Sequence, residues 1–264
     1  MLDLEVRPAA GPYILTRELP RGMLGDRWLA LHERAQTSHV VHSFGNDAAD
    51  PDSAGRLLAA LAQVRDFEHP HVLKIEDSWV DDAGCVWVVT PFTGDQDGLV
   101  TLDSLLRRRG GYLSLEESRR AMDQLMVGVA AAHERSLSHG EIAMREVLAD
   151  RRGSLLIEHY GVCRAAMTCP APASLAEAKA LEVRSVLTIG YQLATGLRAD
   201  DPLIRVSRVI LDVDSSWDDL FETGLGPVGF ASAAHALSAI KGCRLVRAIP
   251  GGRMGFALRG FIMG

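Results

Sequence analysis

The stretch SHGEIAMREVLADRRGSLLIEHYG, from Ser138 to Gly161, is the most informative segment of the chain. It opens with a polar loop that contains a histidine and two glutamates. Short apolar runs on both sides of DRRGS then predict a β-hairpin, because Asp, Gly and Ser favour tight turns. A second polar loop, EHYG, follows. Two polar loops joined by one hairpin predict a functional site, and the flanking segments define the fold that carries it.

The composition is that of a folded, acidic protein. Of 264 residues, 47% are hydrophobic, which is enough for a full core. The net charge of −6 argues against a nucleic-acid partner, which would require a basic surface. Four cysteines without paired short spacing predict neither a zinc site nor a disulfide framework. The sequence shows no signal peptide and no run of roughly 18 apolar residues, so we expect a cytoplasmic protein.

The N-terminal third predicts a small β-rich lobe. Apolar and polar residues alternate in YILTREL and RWLALHE, and SHVVHSF, HVLKIEDSWV and CVWVVTPF are also rich in β-forming residues. Between these runs, residues 50–67 place Leu57, Leu58, Leu61 and Val64 at helical spacing. We therefore predict a five-stranded sheet with one helix.

From Thr101 onward the pattern is helical. TLDSLLRRRG predicts a short helix, and SLEESRRAMDQLMVGVAAAHERS a long one in which Ser114 and Glu117 have the spacing of a capping box. LAEAKALEVRSVLTIGYQLATG is mainly apolar and predicts a buried helix. Two further helices are expected around residues 218–224 and 231–241.

These patterns divide residues 1–242 into two lobes. We expect a β-rich lobe over about residues 13–92, a hinge over about 91–100 and a helical lobe over about 101–242. Residues 243–264 form a basic, apolar tail with four arginines and no acidic residue. Such a tail suits an anionic membrane surface or a groove on a partner protein, or it could dock on its own domain.

Eight segments resemble the motifs of a known family. They are ELPRGMLGDRWLALHE, HVVHSF, HPHVLKI, VWVVTPF, HGEIAMREVLAD, LLIEHYGVCR, EVRSVLTIGYQLATG and FASAAHALSAI. From about Tyr13 to Lys241, their order and spacing resemble those of the bacterial eukaryotic-like (Hanks-type) serine/threonine protein kinases. The resemblance implies an α+β, protein-kinase-like bilobal fold, with a small antiparallel β lobe carrying one helix and a larger, mainly helical lobe. Only about 20 residues separate Gly161 from Glu182, so the activation segment is expected to be shortened.

By this resemblance, the residues that hold ATP and its metal have been replaced. Kinases place a lysine on the phosphates, pair it with a helix glutamate and bind magnesium through an aspartate. Those three positions correspond here to His42, Ala60 and His159. A neutral imidazole cannot neutralise phosphate as an ammonium does, and histidine is a poor ligand for the hard Mg²⁺ ion.

The catalytic loop departs from the family pattern as well. His139 matches the family histidine, and Gly140 stands where an arginine is expected. Glu141, Ala143 and Glu146 correspond to the catalytic aspartate, the loop lysine and the metal-binding asparagine. A glutamate could still accept a proton or bind a metal ion, so these changes alone leave chemistry open.

The apolar part of the nucleotide pocket is better preserved. Two glycines of the glycine-rich loop remain, while Pro20 replaces the first glycine and Arg27 the valine that covers the adenine. The candidate pocket residues are Gly22, Gly25, Val40, Thr90, Phe92 and Leu148. ATP or ADP could therefore bind without a required Mg²⁺. Alternatively, the two glycines form an ordinary hairpin turn and the other four residues are interlobe core.

Two functions fit these observations, and a decayed, poorly folding kinase copy is a third interpretation. The first is a pseudokinase, a scaffold or allosteric regulatory module in bacterial signalling that contacts a protein partner and needs no cofactor. This function predicts a cleft filled by side chains such as His42, Arg27 or Tyr160.

The second function is a weak or unconventional serine/threonine phosphotransferase. It requires Glu141, Glu146 and Glu158 to converge on a metal ion. Neighbouring residues on a strand point to opposite faces, so we expect that Glu158 and His159 do not face the same site.

Overall fold

The structure, a computed structural model, describes residues 9–22, 25–44, 53–162, 174–200 and 202–245. They belong to two compact units. The first, here called the β unit, comprises Met1–Leu102, Leu137–His139 and Arg145–Pro172. The second, the helical unit, comprises Asp103–Ser136, Gly140–Met144 and Ala173–Gly264. Each unit therefore combines segments that are distant in the sequence.

A six-stranded antiparallel sheet forms the β unit. The strands are β1 (Ala9–Ala10), β2 (Tyr13–Leu19), β3 (Asp26–His32), β4 (Ser38–Phe44), β5 (Asp77–Val80) and β6 (Val86–Pro91). Their spatial order is β1-β2-β3-β4-β6-β5. The five predicted strands are present, and β1 was missed because two residues cannot show alternation. The fourth predicted strand is shorter than expected, because the backbone of Leu73 bonds to Ile157 instead of joining the sheet.

Alternation along the strands places apolar side chains on both faces of the sheet. One face packs against helix α1 (Ser53–Val64), and the residues of this cluster include Phe44, Leu57, Leu61, Val64, Val86 and Val88. The opposite face buries Tyr13, Leu15, Ala30, Val41 and Val89 beneath the partly buried Trp28, Trp79 and Trp87. By the same alternation, the polar residues His42 and Thr90 fall on the α1 face, among apolar neighbours.

A short hairpin completes the β unit. Strands β7 (Val147–Ala149) and β8 (Leu155–Ile157) are antiparallel, which confirms the predicted hairpin. Asp150 closes its turn by accepting two backbone N–H groups through Oδ1. The Leu73 N–H donates to the Ile157 carbonyl at 2.9 Å, so the hairpin is joined to the rest of the unit by main-chain hydrogen bonds.

Helices form the second unit. They are α2 (Leu102–Arg108), which begins at the boundary, α3 (Leu115–Glu134), α4 (Leu175–Thr195), α5 (Val206–Val209), α6 (Ser216–Gly224) and α7 (Ala233–Gly242). The helices predicted around residues 218–224 and 231–241 are confirmed as α6 and α7. The short α5 was not predicted, because four residues are too few to show a helical period.

Side-chain caps fix the ends of the two longest helices. Glu117 N–H donates to Ser114 Oγ at 3.2 Å and Ser114 N–H to Glu117 Oε2 at 3.0 Å, which confirms the predicted capping box. The N-cap of α4 is Ser174, which accepts the Glu177 N–H at 3.1 Å. Helix α4 ends at Gly196, whose left-handed φ of 72° favours glycine.

Helices α3 and α4 are in close contact at Gly190. A Cβ added to this residue would overlap Sδ of Met122, a fully buried side chain of α3. The same two helices bury Leu125, Val129 and Leu187 completely. The approach of the two backbones therefore requires glycine at position 190.

The predicted tail, residues 243–264, lies mostly outside the described residues, as do residues 163–173 of the expected shortened activation segment. Cys243 is buried, and Trp217 Nε1–H donates to the Arg244 carbonyl at 3.1 Å. The first residues of the tail thus pack on the helical unit. Within the described ranges, no helix is both long and apolar enough to cross a membrane.

We expect Gly190→Ala to lower the free energy of unfolding by about 1–3 kcal/mol, because the new methyl group must displace Met122 from a packed interior. Urea denaturation followed by circular dichroism measures this change. Gly55→Ala is the matched control, since its Cβ would meet no atom within 4 Å in the exposed part of α1. That control should gain about 0.5–1 kcal/mol. Equal stability of Gly190→Ala and wild type would contradict close packing at this point.

Candidate functional site

The residues that follow β8 form a turn and do not continue the strand. His159 has a left-handed φ of 48° and Gly161 one of 74°. The Val162 N–H donates to the His159 carbonyl at 2.9 Å and closes the turn. Because β8 ends at Ile157, Glu158 and His159 both point into one cluster. The expectation that they face opposite sides was wrong, since it applied strand geometry to a turn.

A buried ion pair lies at the centre of this cluster. Arg27 Nη1, on β3, donates to Glu158 Oε1 at 3.0 Å and to Oε2 at 3.1 Å. Arg27 is 5% exposed and Glu158 is 3% exposed. Arg27 Nε also donates to the Pro20 carbonyl at 2.9 Å. Removing either partner would leave an uncompensated charge out of water, so the two residues depend on each other.

His42 extends from β4 toward the same carboxylate. Its Nε2 lies 3.1 Å from the Thr90 hydroxyl and 4.0 Å from Glu158 Oε1. Burial, together with the nearby His159 and Arg27, holds the pKa of His42 well below its usual 6.5. His42 is therefore neutral at pH 7 and does not supply the positive charge of the lysine whose position it takes.

His159 packs edge-on against His42, with ring centroids 4.3 Å apart. Burial is the main cause that lowers the pKa of His159 to about 3, and the charge of Arg27 adds to it. Its Nε2 is buried without a hydrogen-bond partner among the described residues. A buried nitrogen of this kind is rare in folded proteins and calls for an explanation.

Glu146 brings a second buried carboxyl group to the region. Its Oε1 lies 3.6 Å from Nε2 of His139, and its backbone carbonyl accepts the Glu158 N–H at 2.8 Å. Burial raises the pKa of Glu158, and the charge of Glu146 acts in the same direction while Arg27 opposes it. Gly161 N–H donates to His139 Nδ1 at 3.2 Å, so the histidine retained from the family orients the turn.

Three of the other predicted site residues belong to other parts of the fold. Ala60 is half-buried on α1 beside the apolar cluster of that helix. Glu141 is exposed and Ala143 is half-buried, and both belong to the helical unit, whereas Glu146 and Glu158 belong to the β unit.

The two glycines of the predicted loop have local structural roles. Gly22 N–H donates to the Gly25 carbonyl at 2.9 Å. A Cβ on Gly25 would overlap the Ser43 carbonyl of β4, and one on Gly22 would lie 3.2 Å from Arg27 Nε. Close backbone approach in the sheet is therefore enough to explain Gly25.

The apolar pocket candidates belong to the interior of the β unit. Val40 and Leu148 are each 1% exposed and Phe92 is half-buried. Thr90 is fully buried and its hydroxyl is bonded to His42. Tyr160 is also buried, but it packs beside His139 instead of filling the space near His42. Of the three side chains expected to fill the cleft, Arg27 and His42 lie in the polar cluster.

The sequence analysis missed two pairings. Glu158, the partner of Arg27, lies 131 residues away in the sequence. The available signals were a cation at the position where the family has valine, and an acidic residue next to His159, the position of the magnesium-binding aspartate in the family. In the helical unit, Glu182 is fully buried and lies 3.0 Å from His133 Nε2. The sequence placed Glu182 only at the end of the expected activation segment. In the structure its carboxyl group contacts His133 of α3.

Comparison with known proteins identifies the family. A family model described as protein tyrosine and serine/threonine kinase matches residues 14–197, which is more than half of the chain. The chain belongs to the protein kinase family. Its cluster of Arg27, His42, Glu158 and His159 is therefore a feature of a kinase-family domain.

Two relatives are named as kinases. CBL-interacting protein kinase 4 of Oryza sativa subsp. japonica is 31% identical over 158 residues, 59% of this chain and 34% of that protein. Carbon catabolite-derepressing protein kinase of Candida tropicalis is 24% identical over 164 residues, 61% of this chain and 25% of that protein. The matched region thus spans about a third of the Oryza sativa protein and a quarter of the Candida tropicalis protein.

A solved structure confirms the predicted fold class. The kinase domain of Mycobacterium tuberculosis PknI matches this chain with a TM-score of 0.72 and 17% sequence identity. The match covers 90% of this chain and 99% of the PknI domain. At this identity the likeness concerns the fold alone. The fold is the predicted α+β, protein-kinase-like one, with an antiparallel β lobe and a mainly helical lobe.

We expect Arg27→Met to lower the free energy of unfolding by about 3–5 kcal/mol at pH 7, because Glu158 would lose its only bonded cation in a buried site. Replacing both partners, with Arg27→Met and Glu158→Met, should restore most of that stability. The control Arg21→Met removes an exposed ion pair with Asp26 and should cost less than about 1 kcal/mol. Additive losses in this double-mutant cycle would contradict the pairing.

Titration of His159 should weaken the fold in acid. Its folded pKa is about 3, whereas the unfolded value is about 6.5, so between these values the unfolded chain binds a proton that the folded chain does not. Stability should therefore fall as the pH drops below about 6.5, by up to about 1.4 kcal/mol per pH unit from this group.

His159→Asn removes this titration, and asparagine tolerates a left-handed φ. The variant should show a shallower pH dependence of the free energy of unfolding between about pH 6 and 4. The measurement is made in EDTA, which keeps metal ions off the histidine side chains. The exposed His235→Asn is the control and should keep the wild-type slope. Identical slopes for His159→Asn and wild type would refute a neutral, buried His159.

Proposed function

We propose that this kinase-family domain is a pseudokinase, a scaffold or allosteric regulatory module that acts through contacts with a protein partner. The observation that supports this proposal is the buried pair of Arg27 and Glu158, flanked by His42 and His159. By the family resemblance, His42 takes the place of the ATP-binding lysine and His159 that of the magnesium-binding aspartate. The two histidine side chains thus contact each other beside the buried ion pair.

The electrostatics of these residues favour a regulatory function over catalysis. Phosphoryl transfer depends on fixed positive charge at the phosphates and on oxygen ligands for Mg²⁺. The lowered pKa values of His42 and His159 keep both rings neutral at pH 7. The one buried cation of the cluster, Arg27, is already bonded to both oxygens of Glu158.

The second candidate is a weak or unconventional serine/threonine phosphotransferase. It is favoured by the kinase names of the relatives and by two buried carboxyl groups, Glu146 and Glu158, in one unit. In this mechanism Glu141 would accept the proton of the substrate hydroxyl, and the other two residues would bind Mg²⁺. Glu158 would then have to bind Mg²⁺ while it remains bonded to Arg27.

We include in the proposal a cytoplasmic location and a place in bacterial signalling, as the sequence suggested. ATP or ADP would bind, if at all, without a required Mg²⁺. Residues 243–264 are the proposed contact with a membrane surface or with the partner, because they combine four arginines with apolar residues. No role in nucleic-acid binding is proposed for a chain with a net charge of −6.

Thermal denaturation with ATP or ADP, each with and without Mg²⁺ or Mn²⁺, separates the two candidates. A ligand that binds the folded state must raise its apparent stability. We expect that nucleotide at millimolar concentration produces no shift that depends on Mg²⁺, because neither His42 nor His159 can hold phosphate or Mg²⁺.

A clear metal-dependent shift, together with phosphate transfer from labelled ATP to a protein substrate, would overturn the pseudokinase proposal. Glu141→Gln, Glu146→Gln and Glu158→Gln should then each abolish transfer. The matched control is Glu116→Gln, which changes an exposed glutamate of α3 and should leave transfer intact.

A further inference from the structure

The cluster in the β unit contains a set of metal-binding side chains that phosphotransfer does not require. His42, Glu158 and His159 each offer a ligand atom, and these three atoms all lie within 4.8 Å of one another. The three residues come from a sheet strand and from the turn after β8, and all are at least nine-tenths buried. Burial of two imidazoles and a carboxylate together is costly unless each finds a partner.

The imidazole of one of these residues has a nitrogen without a hydrogen-bond partner among the described residues. His159 Nε2 is buried and makes no hydrogen bond within the described part of the chain. The backbone of His159 is in the left-handed region, which is uncommon for a residue other than glycine. An unsatisfied nitrogen on a constrained residue, beside a second imidazole and a carboxylate, suggests that a ligand completes the site.

We propose that His42, Glu158 and His159 bind a divalent transition-metal ion of the Zn²⁺ class. Two imidazoles and one carboxylate are a ligand set that suits Zn²⁺ and Co²⁺, whereas Mg²⁺ prefers oxygen ligands. The site differs in ligands and in metal from the magnesium site of the family, and it needs no nucleotide. It is independent of whether the domain is a pseudokinase.

The surrounding residues would hold these ligands in place. The Thr90 hydroxyl lies 3.1 Å from Nε2 of His42, so a metal ion bound through Nδ1 would leave this contact in place and one bound through Nε2 would replace it. Arg27 Nη1 is bonded to both oxygens of Glu158, and each oxygen keeps a second lone pair for a metal ion. Hydrogen bonds of this kind to metal-binding carboxylates are common and orient the ligand.

Charge and distance both permit an ion here. Glu146 acts electrostatically on Glu158 and on His159, so two buried carboxyl groups face the single charge of Arg27. With both carboxyl groups ionised, these three side chains carry a net charge of −1. A divalent ion would change this net charge to +1. Ligand atoms of a tetrahedral Zn²⁺ site lie about 3.3 Å apart, so side chains whose ligand atoms are up to 4.8 Å apart must move closer by up to about 1.5 Å.

The test uses the purified full chain, freed of metal with EDTA and then titrated with Zn²⁺ or Co²⁺. We expect one ion per chain by elemental analysis, an intense visible absorption of tetrahedral Co²⁺, and a thermal stabilisation by Zn²⁺ that Mg²⁺ at the same concentration does not produce. Wild-type protein that binds no ion above the background of the denatured chain would refute the site.

Ligand variants identify the residues. His42→Gln and His159→Asn should weaken Co²⁺ binding by about 100-fold or more, whereas the exposed His235→Asn should bind as wild type does. X-ray absorption of the Zn²⁺-loaded wild type gives a readout that does not depend on how the variants fold. Two imidazoles and oxygen in the first coordination sphere are expected, and sulfur ligands or fewer than two imidazoles would overturn the proposal.

Discussion

A guanidinium group inside the β unit determines what the polar side chains around it can do. Arg27 holds the carboxylate of Glu158 through two hydrogen bonds, and neither residue has appreciable contact with water. Burial, to which the charge of Arg27 adds, lowers the pKa values of His42 and His159, so the imidazoles remain neutral. Without Arg27, the carboxylate would be an unpaired charge in a low-dielectric interior, where such a charge is strongly unfavourable. This pair therefore helps to fix the turn after β8, together with the hydrogen bond from the Gly161 N–H to His139 and the one from the Glu158 N–H to the Glu146 carbonyl.

The left-handed turn brings the cluster together. At His159 the chain leaves β8 with a positive φ, and this places two successive side chains on the same side of the backbone. A continuing strand would have sent one of them away, and Glu158 would have met Arg27 without His159 beside it. The result is a small volume with two neutral imidazoles and little free positive charge. Such a volume is better suited to a soft or borderline metal ion than to phosphate and magnesium.

Most of the packing in both units involves residues outside the polar cluster. The apolar clusters on both faces of the sheet, the capping box of α3 and the close contact of α3 with α4 at Gly190 are independent of phosphotransfer chemistry. Of the residues that differ from the family pattern, Arg27 is paired with Glu158 and His42 is bonded to Thr90, whereas His159 Nε2 has no hydrogen-bond partner among the described residues. A kinase-like domain can therefore stay folded while its polar cluster takes on another role, as the proposed regulatory function and metal site both require.

The sequence by itself determined the elements and the family, because these depend on local patterns. The helical period of α3, the Ser114–Glu117 capping box and the alternation in β2 to β4 can all be recognised without knowing the fold. Only the tertiary structure decided the chemistry of the site. The Arg27–Glu158 pair joins residues 131 positions apart, and the turn at His159 breaks the strand alternation on which the sequence prediction relied. Neither feature leaves a periodic signal, since a long-range ion pair and a single left-handed residue are set by packing and burial.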